Sequence, residues 1–210
     1  MSVGDDVDVK LNGETLNLPK KNLLTSGIVV NLNDKNASRG ELIISRKGSG
    51  PAWGAVTSQY VAPIREVKAQ SVDGLKVKRN LLKLDEKSNS TTEVDERNLN
   101  VGDKVRVIIT LEVSDDMSYV TVEDWRSASM EPAEQLSGMK RTEAGLCYAE
   151  VRDAKTTFFY NRLPAGTFIL SYDCYVTHAG DFSAGMTHVQ SAYSPEFTSR
   201  SEGEEIKIAQ

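Results

Sequence analysis

Histidine, cysteine and tryptophan are nearly missing from this chain, with two of each in 210 residues. That scarcity removes most catalytic and metal chemistry. There is no CxxC pair, no Cys–His cluster and no recognisable ligand spacing. His178 and His188 each lie near a Gly-containing turn, Ala179-Gly180 and Ala184-Gly185, and two histidines without a third ligand do not make a zinc site. No Gly-x-Ser-x-Gly elbow sets a serine beside a base, and Asp181-Phe182-Ser183-Ala184-Gly185 does not read as a strand-to-helix turn. The acidic runs Asp5-Asp6-Val7-Asp8 and Glu202-Gly203-Glu204-Glu205 lack the shaped loop that calcium requires. The expectation is a chain that is not an enzyme, with no catalytic, metal or cofactor-binding residue.

A second absence concerns partners. The net charge is −5, from 25 basic and 30 acidic residues, and no basic stripe is interleaved with aromatics, so nucleic acid is excluded. The densest basic cluster, Lys76-Val77-Lys78-Arg79, alternates with apolar residues and reads as the solvated face of a strand. No apolar run approaches the roughly 20 residues that span a bilayer, so direct membrane insertion is not expected. Met1-Ser2-Val3-Gly4-Asp5-Asp6 has neither the basic nor the apolar region of a signal peptide.

What is present is β-sheet. Val7-Asp8-Val9-Lys10-Leu11 alternates into an Asn12-Gly13 hairpin turn. Further strands are read at Ile28–Leu32, Glu41–Ser45, Ala52–Val61, Leu75–Leu84 and Val105–Val113, with Tyr119–Trp125 as the neighbour of the last. Asp85–Asn100 reads as a long exposed loop, and Pro132–Gly138 alone has helical character. Val151–Phe159 reads as strand, turn, strand, and the last strand as Glu205–Ala209. Leu163-Pro164-Ala165-Gly166 is read as a tight turn between two paired strands, Pro presetting φ and Gly accepting φ > 0. After it Phe168, Leu170, Tyr172, Cys174 and Val176 share one face. A Gly turn and an irregular crossing are expected to follow. Cys147 alternates in phase with Ala149 and Val151. Both cysteines are therefore read as buried core thiols, with a bridge between neighbouring strands as the alternative. The fold class is all-β: an antiparallel β-sandwich over residues 66–210, preceded by a smaller β portion over residues 1–65.

The order of these segments is more specific than any one of them. Asn161-Arg162-Leu163-Pro164-Ala165-Gly166-Thr167-Phe168, Tyr172, Gly180-Asp181-Phe182, Tyr193-Ser194-Pro195-Glu196 and Ser199-Arg200-Ser201 follow Leu99–Val107 and Met117–Asp124, and Gly50-Pro51-Ala52-Trp53 lies upstream. Together they resemble the C-terminal macroglobulin-like domain of bacterial alpha-2-macroglobulin family proteins, with part of the domain before it. Two departures stand out. Trp125–Glu131 replaces a Pro- and Gly-containing segment, and Ala192 stands where a Met often precedes the late Tyr.

The resemblance implies a macroglobulin/immunoglobulin-like sandwich that is one piece of a larger exported protein, in the periplasm or at the cell surface. Residues 1–65 would be the returning segment that flanks the thioester domain. The thioester needs a Cys-Gly-Glu-Gln motif, and neither Cys147-Tyr148-Ala149-Glu150 nor Cys174-Tyr175-Val176-Thr177 supplies one. The implied role is structural: to pack on and shield the thioester domain of a protease-trapping protein. Its partners would be other domains of the parent, and proteases only through the parent. The alternative is a stand-alone adhesion or carbohydrate-binding sandwich using Trp53 or Trp125 as a platform. Candidates for interdomain packing or loop fixing are Trp53, Tyr193, Pro195, Glu196 and Arg200. Pro195 holds the preceding residue extended. The Tyr193 ring is expected to pack inward with its hydroxyl bonded, docking being left to the exposed residues around it, and Glu196 and Arg200 to form an ion pair.

Overall fold

The computed structural model describes residues 7–16, 41–47, 61–85, 90–94 and 98–210. The expected strands at Ile28–Leu32 and Ala52–Val61, and Trp53 with them, lie outside this set, Val61 apart. The chain divides into two compact units, Met1–Gln59 and Tyr60–Gln210. In the first, β1 (Val7–Leu11) turns through Asn12-Gly13 into β2 (Glu14–Thr15) and pairs on its other side with β3 (Leu42–Arg46). Both turn residues have positive φ, 50° and 85°, as the Asn-Gly signal requires.

The second unit opens with a single 3-10 turn, Ile64–Glu66. It is held from the far end of the chain, since the Gly203 N–H donates to the Val67 carbonyl at 2.9 Å. The Arg65 guanidinium also lies 3.8 Å from the Glu205 carboxylate.

This unit is a sandwich. One sheet has five strands: β4 (Leu75–Asp85), β5 (Ser90–Glu93), β7 (Lys104–Val113), β9 (Met130–Pro132) and β13 (Gly166–Val176), in the order β5-β4-β7-β13-β9. The other has eight. These are β6 (Leu99–Asn100), β8 (Met117–Arg126), β10 (Gly138–Thr142), β11 (Gly145–Val151), β12 (Lys155–Leu163), β14 (Gly180–Ser191), β15 (Thr198–Arg200) and β16 (Glu204–Ala209). Their order is β10-β11-β12-β8-β14-β16-β6, with β15 also on β14. Period-2 alternation builds the core. Val105, Val107, Ile109, Leu111 and Val113 of β7 face Val120, Val122, Phe158, Tyr160 and Val189 of the opposite sheet, and all are buried. The face read from the sequence on β13 holds: Leu170, Cys174 and Val176 are buried, with Phe168 and Tyr172 packed against them. Cys147 and Cys174 are free buried thiols on different sheets.

Several expectations fail, and each for a topological reason. β7 and β8 are consecutive but lie in different sheets, so Tyr119–Trp125 is not the neighbour of Val105–Val113. Nor does Leu163-Pro164-Ala165-Gly166 join paired strands. It carries the chain from β12 in one sheet to β13 in the other. The two crossings sit together: Leu163 lies opposite Met117, and Gly166 opposite Val113. One antiparallel ladder thus passes between the sheets at a shared corner. Asp116 fixes it, accepting from the Arg162 guanidinium at 2.5 Å and from the Ala165 N–H at 2.9 Å. Those two bonds hold the Asp116 carboxyl below its usual pKa.

Pro132–Gly138 contains no helix, because Pro132 still belongs to β9 and pairs with Cys174. The supposed loop Asp85–Asn100 holds β5, an edge strand on β4, and the fully buried Leu99. Gly180–Ser191 is one strand rather than a turn and an irregular crossing. Its register with β16 on one edge shifts between Ser183 and Gly185, where pairing with β8 on the other edge begins. Gly185 has φ +91°, and a Cβ there would lie 1.9 Å from the Trp125 carbonyl oxygen, so the bulge admits only glycine.

At the core, a polar row crosses the larger sheet where apolar residues would be expected. Thr156, Asp124 and Thr187 are register partners, all buried. Asp124 Oδ1 accepts from Arg79 Nε at 2.8 Å and from Thr187 Oγ1 at 2.5 Å, and Oδ2 from the Tyr172 hydroxyl at 2.5 Å. Arg79 and Tyr172 belong to the smaller sheet, so one carboxylate ties both sheets. Burial, then Asp124, raises the Tyr172 phenol well above its ordinary pKa, which keeps it a donor. Burial opposes the Arg79 charge and Asp124 outweighs it. Arg126 adds a second buried guanidinium, donating to Thr156 Oγ1 at 2.9 Å and to the Arg152 carbonyl.

Two expected outcomes follow from this geometry. Gly166 has φ +147°, and a Cβ there would meet Phe168 Cζ at 2.8 Å. Gly166→Val should cost about 2 kcal/mol, read as a fall of roughly 4–8 °C in Tm by calorimetry; an unchanged Tm would contradict the corner. Asp124→Asn leaves the buried Arg79 guanidinium without its anion and should cost about 3 kcal/mol in urea unfolding. Adding Arg79→Met should cost less than the two single losses combined.

Candidate docking site

Exposed aromatics gather at the end of the sandwich where β14 runs into β15. The connecting segment, residues 192–197, is pinned at its base. The Ala192 N–H donates to the Tyr119 carbonyl at 2.9 Å, the Ser191 N–H to the Phe197 carbonyl at 3.1 Å, and the Phe197 N–H to the Ser194 carbonyl at 2.9 Å. Thr198 Oγ1 donates to the Pro195 carbonyl at 2.8 Å. Pro195 thus lies in a turn outside the ladder.

The Tyr193 expectation is overturned. Its ring is 78% exposed rather than packed inward, and no partner for its hydroxyl is found among the described residues. The ring instead stands edge-on against Tyr119, with centroids 5.0 Å apart and planes at 81°. Tyr119 is itself 51% exposed, and Phe197 39%. The expected Glu196–Arg200 ion pair does not form either. Arg200 lies on β15, opposite His188, and its Nε donates to the Lys68 carbonyl at 3.3 Å. Strand pairing, absent from the sequence reading of this segment, turns Arg200 away from the loop. Of the candidates, Tyr193, Pro195 and Glu196 share the loop. Leu163, Pro164 and Gly166 form the nearby crossing, and Trp53 lies outside the described residues. Sequence reasoning missed Tyr119, whose only signal is an aromatic in the outward phase of an otherwise regular strand.

The rest of the surface offers less chemistry. One face of Trp125 is occupied by Lys155, with Nζ 4.9 Å from the ring centroid. His178 shares a 2.8 Å hydrogen bond with Thr177 at the end of β13. Half-burial lowers the pKa of His188, which lies in β14 opposite Glu123. No cluster of three metal-ligating side chains occurs among the described residues. No helix among them is long and apolar enough to cross a membrane. Burial pushes the Cys174 thiol up to about 11, so it is no nucleophile near neutral pH.

Comparison with known proteins places this geometry. No curated relative matches the chain. Among solved structures, native alpha-2-macroglobulin from Escherichia coli, spanning domain MG7 to the C-terminus, is 16% identical with a TM-score of 0.54. The match covers 71% of this chain and 25% of that one. Salmonella alpha-2-macroglobulin reacted with methylamine is 15% identical, TM-score 0.56, over all of this chain and 14% of that one. Escherichia coli alpha-2-macroglobulin activated by porcine elastase is 16% identical, TM-score 0.56, over 98% and 18%. The chain thus spans a quarter or less of the length of these relatives, which share its fold. The model of the bacterial alpha-2-macroglobulin MG10 domain matches residues 74–196, more than half of the sequence, from the turn before β4 through the Tyr193 loop. The chain belongs to the bacterial alpha-2-macroglobulin family, and its sandwich is an MG10 domain.

Proposed function

We propose that the chain is a non-catalytic structural module of a bacterial protease-trapping protein, and that its 192–197 loop docks on the thioester domain of the parent. The observation that carries this reading is the Tyr193 ring, 78% exposed on a loop whose base is hydrogen-bonded. An aromatic that stabilised its own domain would be buried. One that projects from a fixed base with an unused hydroxyl suits a partner surface.

Residues 1–65 would contribute the returning segment beside the thioester domain, and residues 66–210 the terminal sandwich. The parent would be exported to the periplasm or cell surface and would meet proteases through its other domains. Relatives solved after reaction with methylamine or activation by elastase support an amine-reactive, protease-responsive parent. The reactive group would lie elsewhere, since both cysteines here are buried without the thioester motif. Lys155 over the Trp125 face weighs against the carbohydrate-platform alternative.

Tyr193→Ala tests the reading in two settings. In the isolated chain, stability should stay within about 0.5 kcal/mol of the unchanged protein, as for a surface substitution. In the full-length parent, methylamine should consume the thioester faster than in the wild type before any protease is added. Unchanged methylamine reactivity in the parent would refute docking through Tyr193.

A further inference from the structure

Tyr119 carries a backbone anomaly at the base of the same corner. Its φ is +53°, in the left-handed region, at the third residue of β8. Among the described residues only one other non-glycine has positive φ, and that is Asn12 in its hairpin turn, where asparagine is tolerated. A bulky aromatic within a strand has no such tolerance, and glycine would take the conformation without strain. The ladder registers the disturbance. β8 and β12 pair Val120 with Tyr160 and Ser118 with Arg162, and the pairing skips Tyr119.

The anomaly has a local consequence. Tyr119 drops out of the pairing with β12, while its carbonyl stays in register with β14, accepting from the Ala192 N–H at 2.9 Å one step beyond the Ser191–Val120 pair; its ring meets Tyr193, centroids 5.0 Å apart and edge-on. The bond fixes the chain one residue before Tyr193, and the ring contact fixes the direction of the side chain. A regular β conformation at 119 would return the residue to the ladder opposite Asn161 and take the ring off Tyr193.

We propose that Tyr119 is a positioning residue that holds the Tyr193 ring in its projecting orientation, through a strained backbone that turns its own ring toward the loop. The proposal rests on the docking reading for its purpose but not for its geometry. Strain of this kind persists where the surroundings over-determine it and is seldom kept without a use. Here the use is preorganisation: an aromatic already aimed loses less freedom when a partner covers it.

Three variants of the 210-residue chain separate backbone from ring: Tyr119→Phe, Tyr119→Ala and Tyr119→Gly. The readouts are thermal unfolding and the NMR shifts of the Tyr193 ring protons, which the neighbouring ring displaces from their free-tyrosine values. Tyr119→Phe should leave both unchanged. Tyr119→Ala and Tyr119→Gly should return the Tyr193 protons to free-tyrosine values. Neither has a ring, so their stabilities compare the backbone alone, and the glycine variant should unfold at the higher temperature. Equal midpoints, or a higher one for alanine, would overturn the strain. Tyr193 shifts that survive Tyr119→Ala would show that the loop orients itself and would overturn the positioning role. If these outcomes hold while Tyr193→Ala leaves the parent's methylamine reactivity unchanged, the docking reading fails and the positioning role stands.

Discussion

The Asp124 carboxylate is where the two sheets of the sandwich are tied by something more directional than apolar contact. Three donors converge on it, Thr187 from its own sheet and Arg79 and Tyr172 from the other. Apolar surfaces resist separation but slide at little cost, whereas a carboxylate bonded to three fixed donors permits one alignment. Asp124 lies two residues along β8 from Val122 and four from Val120, whose side chains enter the apolar core. Fixing its position therefore fixes how that row meets Val107 and Ile109 opposite. The same strand leads back to Tyr119 and on to Arg126, which anchors the β11–β12 turn through the Arg152 carbonyl. A buried ion pair is weak evidence for stability in itself; its role here is registry.

The shared crossing near Leu163 and Met117 is the second constraint. Two neighbouring connections change sheets at one place, so the pairing stops at Gly166–Val113 and resumes at Leu163–Met117 across the corner, with one half in each sheet. Slipping one strand by a residue would move Leu163 off Met117 and turn its buried side chain outward. The crossing, the Tyr119 kink and the Tyr193 loop all draw on the residues where β8 begins. Rigidity at this end of the sandwich supports a presented ring there, and a ring on a loose loop would lose affinity to its own ordering.

Much of the strand content was legible in the sequence because each strand alternates cleanly. Leu75–Leu84, Val105–Val113, Phe168–Val176 and Glu205–Ala209 all lie on strands of the structure. What alternation does not encode is which strands pair. Nothing local separates a hairpin turn from a corner, so Leu163–Gly166 and the passage from β7 to β8 were both misread. Asp124 was visible in principle. It falls in phase with Val120 and Val122, as Arg79 does with Leu75 and Val77, and a charged residue in the core phase of each of two strands points to a buried pair. The Tyr193 loop was located by its Tyr-Ser-Pro-Glu run, but its burial was inverted. The direction of a single side chain in an irregular segment depends on backbone angles elsewhere, here at Tyr119, that composition does not carry.

Amide hydrogen exchange, measured on the isolated chain and on the full-length parent, tests the docking claim most directly. In the isolated chain the amides of Tyr193, Ser194 and Glu196 have no acceptor among the described residues and should exchange rapidly, while Ala192 and Phe197, bonded at the loop base, should be slower. In the native parent, exchange across residues 193–196 should slow by an order of magnitude or more and recover after protease cleavage. Equal exchange of this loop in the isolated chain and the native parent would contradict the claim that a neighbouring domain covers it.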